Sequence, residues 1–254
     1  MKTLAPNTLF CGQKRVHYTS IDSTNLEAQR LNKSEKQPEG LLITADEQES
    51  GKGYGQNVWK SEPEKNILMT ILLNPVFLKA RFQFYLNQSI CLAIHDTLGN
   101  FLDKDLLEIK WPNDIVYNGK KLCGVLIENS LQGNFIHHAY IGIGINVNQK
   151  KFSSALKNAT SLSKIKNKLF DTEKIIMLLC ENIEARYLQL KANNIQEIQK
   201  DYMQKLFQLE EQCNYKIAGK ELKGKITGIN PEGKLVIDTA DGYMICGYKE
   251  VEFL

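Results

Sequence analysis

The stretch ESGKGYGQNVWKSE sets Gly51, Gly53 and Gly55 at alternating positions, threads Lys52 and Tyr54 between them and closes on Trp59. Missing side chains let main-chain N–H groups come within hydrogen-bonding reach of a ligand, and the lysine adds positive charge. The spacing is not that of a Walker P-loop, because GxxxxGK(S/T) is absent. Nor is it a dinucleotide turn, because no helix pattern follows and the third glycine is misplaced. A surface hairpin turn with a solvated lysine is the alternative for the loop, and core packing the alternative for Trp59.

A second constellation, EIKWPNDIVYNGKKLCG, gathers Lys110, Trp111, Asn113, Asp114, Lys120 and Lys121 around one Asn118-Gly119 turn. A two-residue type I′ turn needs positive φ at both central positions, which Asn-Gly accepts, so the chain doubles back and Asp114 and Lys121 can face the same region. A carboxylate beside an ammonium suits a nucleotide triphosphate, the first helping to hold magnesium and the second answering the shifting negative charge. A salt-bridged surface hairpin is the alternative. In YIGIGINVN a period of two puts Ile141, Ile143 and Ile145 on one face and Gly142, Gly144 and Asn146 on the other. Bare positions on a strand weaken it, a cost explained by close approach of a ligand or by tight helix packing. DSTN, residues 22 to 25, offers hydroxyls and an amide where a strand meets a helix.

These groups need elements to position them. VHYTSIDSTNLEAQRLNK passes from alternation to a helix capped by Asp22 or Ser23. GLLITADEQES and NILMTILLNP are short buried-strand patterns on either side of the glycine loop, and residues 80 to 102 form a core helix ending near Gly99. Residues 107 to 147 read as an antiparallel meander with a second turn at Gln132-Gly133-Asn134. Residues 171 to 206 are helical by period, capped by Asp171 or Thr172. The last segment is a run of short strands punctuated by Ala-Gly, Pro-Glu-Gly, Asp-Gly and Cys-Gly, which places a small β-barrel after a boundary near residue 208.

The 254 residues, 43% apolar, suffice for one large domain and a small appendage. A net charge of +3, spread along the chain, gives no sign of a nucleic acid or membrane partner. Six cysteines without a CxxC pair and four histidines without HxxxH or HExxH spacing argue against zinc. No secretory signal opens the chain and no apolar run reaches the roughly 18 residues of a membrane span, so a cytoplasmic protein with reduced thiols is expected.

Taken in order, the segments resemble the biotin protein ligases. The likeness rests on Ser23-Thr24-Asn25, Gln48, the Gly51 loop with Trp59, Lys110-Trp111-Pro112-Asn113-Asp114, Lys121-Leu122-Cys123-Gly124 with Glu128, and Gly142-Ile143-Gly144-Ile145-Asn146. It runs from about residue 17 to the end. It implies an α+β fold, a mixed, largely antiparallel sheet flanked by helices of the class II synthetase-like type, over 1–208. A C-terminal SH3-like β-barrel would follow over 209–254. The implied reaction has two steps: biotin and MgATP give biotinyl-5′-adenylate and pyrophosphate, then a lysine of a biotin carboxyl carrier domain takes the acyl group.

By the same resemblance Ser23, Thr24 and Gln48, with Asn25 nearby, bind the head of biotin. Gly51, Gly53 and Tyr54 belong to the covering loop, and Gly124 and Gly142 leave room for the rings. Lys121 holds the carboxylate and then the acyl phosphate, and Lys52 covers the intermediate, so that with Asp114 these are the expected catalytic residues. Trp59, Lys110, Asn113, Gly144 and Asn146 fall on the nucleotide side, and Asp114 on that of Mg2+.

Two features depart from the family pattern. The loop usually reads GRGRxG; here Lys52 and Tyr54 stand at the arginine positions, so Lys60 or another cation must compensate, or the intermediate is held less tightly. About 20 residues precede Ser23, too few for a winged helix-turn-helix, so no repressor function is expected. The alternatives are a lipoate or octanoate ligase on the same fold and a non-catalytic biotin or nucleotide sensor; a monomer or homodimer is equally compatible.

Overall fold

The computed structural model describes residues 6–53, 55 and 57–254. Its main sheet has seven strands: β1 (Arg15–Ile21), β2 (Leu42–Gln48), β3 (Ile67–Leu73), β4 (Leu107–Lys110), β5 (Asp114–Tyr117), β6 (Lys120–Gln132) and β7 (Phe135–Ile145). Their order is β1-β2-β3-β7-β6-β5-β4. β1 and β2 run parallel, which requires a crossover, and α1 (Thr24–Ser34) supplies it. The other neighbours are antiparallel. Asn118 and Gly119 have φ of 47° and 70°, the two positive values the β5–β6 turn demands.

The two faces of the sheet differ because of the β7 alternation. Ile141, Ile143 and Ile145, with Met69 and Ile71 of β3, pack into the large core shared with Ile90 of α2 (Gln83–Leu98). That core also takes Leu179 of α4 (Thr172–Lys191), which runs against α2. On the opposite face Ala28 of α1 covers Leu41, Ile43, Leu72 and Tyr140. Further along that face stand Gly124, Gly142 and Gly144, and there the sheet forms the floor of a cavity.

A short helix α3 (Leu162–Lys166) precedes α4, whose N-cap Asp171 accepts from the N–H groups of Glu173 and Lys174. The single helical run expected over 171 to 206 is instead two helices. α4 ends at Lys191 and α5 spans Ile195–Gln204, because Asn193 takes the left-handed conformation (φ 64°) in the intervening KANN turn. At α1, Ser23 holds the N-cap position without a side-chain capping bond, while the Asp22 carboxylate takes up the Ser23 N–H.

The C-terminal segment forms a separate five-stranded antiparallel sheet of β8 (Gln212–Ile217), β9 (Lys220–Ile229), β10 (Leu235–Thr239), β11 (Gly242–Cys246) and β12 (Val251–Phe253), in the order β11-β10-β9-β8-β12. It is keyed to the main sheet by the KWPND segment. Trp111 Nε1 donates to the Gly233 carbonyl at 2.9 Å, and Lys110 Nζ lies over the Phe253 and Phe207 rings at 4.6 and 5.7 Å. Gly233 cannot be replaced there, since a Cβ would sit 2.4 Å from Phe84 and φ is +86°. Among the described residues no helix is long and apolar enough to cross a membrane.

Candidate active site

The start of α1 meets β2 and β3 in a buried polar cluster. Thr24 donates from both its N–H and its Oγ1 to Gln48 Oε1, at 2.7 and 3.0 Å. Thr70 Oγ1 lies 2.8 Å from Thr24 Oγ1 and donates to Asn25 Oδ1 at 2.6 Å. Asn25 Nδ2 donates in turn to Glu128 Oε2 at 2.9 Å, joined there by Gln29 Nε2 at 3.2 Å. Ser23, Thr24, Asn25 and Thr70 are all buried, so this network holds fixed donors and acceptors in a low-dielectric pocket. Thr70 escaped the sequence reading although it is the one polar residue in the otherwise apolar strand ILMTILL.

The meander supplies the charges. Asp114 and Lys121 approach across β5 and β6 to 2.7 Å between carboxylate and ammonium. Asn113 ties the KWPND turn to β6 through two bonds with Val125, its Nδ2 donating to the Val125 carbonyl at 2.5 Å and its carbonyl accepting from the Val125 N–H at 3.0 Å. Behind them Lys110 is lowered below its ordinary pKa, first by burial and then by the like charge of Lys121, against the pull of Asp114.

Gly124 and Gly144 face each other across the β6–β7 ladder, and the Trp59 indole lies on both. A Cβ at Gly144 would be 2.5 Å from Trp59 Cε2, and one at Gly124 3.0 Å from Cζ3. Gly142 makes the same kind of room for Asn25, whose Oδ1 a Cβ would approach to 2.6 Å. Gly124 and Gly144 therefore serve the stacked indole over the cavity, while Gly142 admits Asn25 from the first turn of α1, a close helix approach. Lys121 Nζ stands 5.7 Å from the Trp59 ring centroid.

The two arms of the glycine loop, residues 51–53 and 57–59, pair antiparallel above this floor. Gly53 N–H donates to the Asn57 carbonyl and Trp59 N–H to the Gly51 carbonyl, both at 2.8 Å. Lys52 reaches to 3.8 Å from Glu128, linking the loop to the Asn25 cluster. Tyr54 lies outside the described residues.

One cavity of about 160 Å³ brings together Ser23, Thr24, Asn25, Gln48, Lys52, Gly53, Trp59, Asn113, Asp114, Lys121, Gly124, Gly142 and Gly144. The two amines of Lys52 and Lys121 thus share one hollow. Three expected positions lie outside its lining: Gly51 borders the neighbouring groove beside Glu128, Lys110 points to the C-terminal sheet, and Asn146 is buried with its N–H on the Leu122 carbonyl. Tyr248, from the turn between β11 and β12, lines the cavity as well. No signal in the sequence could reveal it, because its place depends on how the C-terminal sheet docks. Among the described residues no group of three acidic, histidine or cysteine side chains is built to hold a metal.

Comparison with known proteins agrees with this geometry. Residues 18–146 match the biotin/lipoate A/B protein ligase family, and residues 209–252 match the biotin protein ligase C terminal domain. The bifunctional ligase/repressor BirA of Bacillus subtilis is 32% identical over 239 residues, which span 91% of this chain and 71% of that protein. The biotin–acetyl-CoA-carboxylase ligase of Paracoccus denitrificans is 28% identical over 91% of this chain and 97% of its own. The structure superposes on the biotin protein ligase from Aquifex aeolicus in complex with biotin and ATP with a TM-score of 0.76, at 25% identity, covering 95% of this chain and 99% of the other. The chain belongs to the biotin/lipoate A/B protein ligase family, among its biotin protein ligases.

Proposed function

We infer that the protein is an ATP-dependent ligase that activates biotin as biotinyl-5′-AMP and transfers it to a lysine of a biotin carboxyl carrier domain. The observation that carries this reading is the convergence of Lys52, Lys121, Asp114 and the Ser23-Thr24-Gln48 cluster on one glycine-floored cavity. The solved Aquifex aeolicus relative, which holds biotin and ATP, supports it.

In the first step a biotin carboxylate oxygen attacks the α-phosphorus, the bond to the β-phosphate oxygen breaks, and pyrophosphate leaves with the electron pair. Two anions must meet, so fixed positive charge and alignment supply most of the acceleration. Lys121 is suited to hold the carboxylate, its ammonium released from Asp114 as the ligand enters. Lys52, now beside Glu128, is suited to cover the acyl phosphate. The polar cluster of Ser23, Thr24 and Gln48 provides donors and acceptors for a ureido group, with Asn25 steadied by Thr70 and Glu128. Trp59 lines the cavity, whose volume of about 160 Å³ falls below that of ordinary ligand sites, so the loop must lift its indole for substrate and close again over the adenylate. Asn113, Gly144, Asn146 and Lys110 belong to the nucleotide side of this proposal.

Magnesium enters as MgATP, carried by the triphosphate, and Asp114 is the carboxylate among the cavity-lining residues that can meet it. In the second step the amine of the carrier lysine attacks the acyl carbon, the acyl–phosphate bond breaks, AMP departs with the electron pair, and the amine sheds a proton. Division of the chain near residue 208 is part of the proposal, supported by the separate family match from residue 209. A cytoplasmic site of action is also proposed, in keeping with six free thiols.

Incubating the protein with MgATP, biotin and a carrier domain should add one biotinyl mass to the carrier lysine. No mass increase with biotin, and a clear one with lipoate or octanoate, would transfer the protein to the other acyl substrate.

A further inference from the structure

The loop over the cavity is poor in charge: between Gly51 and Gly55 its one cation is Lys52. Lys52 and Lys121 are the described lysines that line the cavity; Lys60 and Lys249 are both exposed and lie outside its lining, Lys249 bordering a groove of the C-terminal sheet. A second ammonium does stand against the loop, and it comes from the other end of the chain. A Cβ built on Gly55, at φ +67°, would lie 2.6 Å from Lys249 Nζ and 3.2 Å from its Cε, so the lysine tip occupies the space over that glycine.

Lys249 belongs to a hydrogen-bonded turn. It sits between β11 and β12 at φ 66°, in a turn closed by the Glu250 N–H on the Gly247 carbonyl at 3.1 Å and by the Gly247 N–H on Glu250 Oε2 at 2.5 Å. The preceding residue, Tyr248, packs its ring 6.4 Å from that of Trp111 and lines the cavity. Trp111 is itself fixed by its hydrogen bond to Gly233. The same tryptophan that docks the C-terminal sheet therefore sets where Lys249 meets the loop.

We propose that Lys249 is a phosphate-binding cation of the adenylation site, delivered by the C-terminal sheet to the Gly55 end of the loop to serve the polyphosphate of bound nucleotide. This rests on the adenylation reading above. Lys52 and Lys249 then act from opposite sides of the loop, the first toward Glu128 and the acyl side, the second toward the phosphate side.

Biotin-dependent exchange of labelled pyrophosphate into ATP tests it, using the full chain with Lys249→Gln and Lys249→Arg. The expected result is a KM for MgATP raised about fivefold in Lys249→Gln, near the upper end of what one exposed charge contributes. The biotin KM should stay within about twofold, the arginine variant should match the parent, and the Lys249→Gln defect should shrink with added salt. A purely structural lysine would move both constants together or neither. Equal MgATP KM in the parent and Lys249→Gln, or a parallel shift of both constants, overturns the assignment while leaving the ligase reading intact. A parent protein that exchanges no pyrophosphate with biotin overturns both.

Discussion

Replacing Gly142 by alanine isolates what the bare face of β7 is for. The new methyl would sit 2.6 Å from Asn25 Oδ1 and 3.1 Å from its Cγ, inside contact distance. Asn25 has nowhere to retreat. Its Oδ1 accepts from the buried Thr70 hydroxyl and its Nδ2 donates to Glu128, so turning the side chain aside would break both bonds, leaving Thr70 only its contact with Thr24 and Glu128 only those with Gln29 and Lys52. Overpacking of this kind costs about 1–3 kcal/mol, and breaking two such hydrogen bonds costs a similar ~1–3 kcal/mol. The molecule takes whichever route is cheaper. Replacing a flexible glycine within a strand returns about 0.5–1 kcal/mol. A net loss of about 1–2 kcal/mol follows, which in a chain of this size lowers Tm by roughly 2–8 °C. Gly228 is the control, since nothing lies within 4 Å of its would-be Cβ and its φ is not positive; Gly228→Ala should be neutral or slightly stabilising. Calorimetry of both variants and isothermal titration with biotin make the measurement, with biotin affinity expected to fall at least about tenfold in Gly142→Ala. A Gly142→Ala protein that melts with Gly228→Ala and binds biotin like the parent would refute the reasoning from contact distance.

Further outcomes can be checked alongside. Lys121→Ala removes the ammonium at 2.7 Å from Asp114 and should cut pyrophosphate exchange by about 10²–10³, the loss typical of one charge-stabilising group; near-parental exchange would strip Lys121 of its role. Arg186 joins α2, α4 and α5 through Asp96 at 2.8 Å and Asp201 at 2.7 Å. Arg186→Ala should lower stability by about 1–3 kcal/mol, discounted for partial exposure, and an unchanged urea midpoint would contradict this. Burial pushes the Asp96 carboxyl up, but the neighbouring His95 and the charge and hydrogen bond of Arg186 outweigh it and hold it below the usual value. Glu173 is lowered too, chiefly by its hydrogen bond with Arg15. Both depressed carboxylates contribute stability that is present above the unfolded values near ~4 and lost as pH falls through the folded ones. Urea titrations from pH 6 to pH 3 should show that loss, and it should be smaller in Arg186→Ala.

The chemistry-bearing positions were legible in the sequence to the extent that they lie on regular elements. Asn118-Gly119 fixes the turn and sets Lys121 opposite Val116, and beyond the irregularity at Ile115 and Val116 the Asp114 carboxylate reaches back to Lys121. The period of two in YIGIGINVN assigns the isoleucines to the core and the glycines to the cavity in the same way. What stayed hidden depends on contacts distant in sequence. Thr70 acquires meaning only when β3 lies under α1, and Tyr248 and Lys249 only when the C-terminal sheet has docked. The break at Asn193 was within reach, since KANN carries two turn-forming residues, but strong period on either side masked it. Asn146, just past the end of β7, is buried with its N–H on the Leu122 carbonyl, a long-range tie that its place in the alternation does not reveal.

The indole lying across Gly124 and Gly144 has a practical consequence. The chain holds two tryptophans, and Trp111 is buried with its N–H engaged, so its emission supplies a steady background. Trp59 Nε1, by contrast, is enclosed without a hydrogen-bond partner among the described residues. Any molecule that displaces or caps that ring changes its polarity, and we expect intrinsic fluorescence to follow occupancy directly, with no label attached.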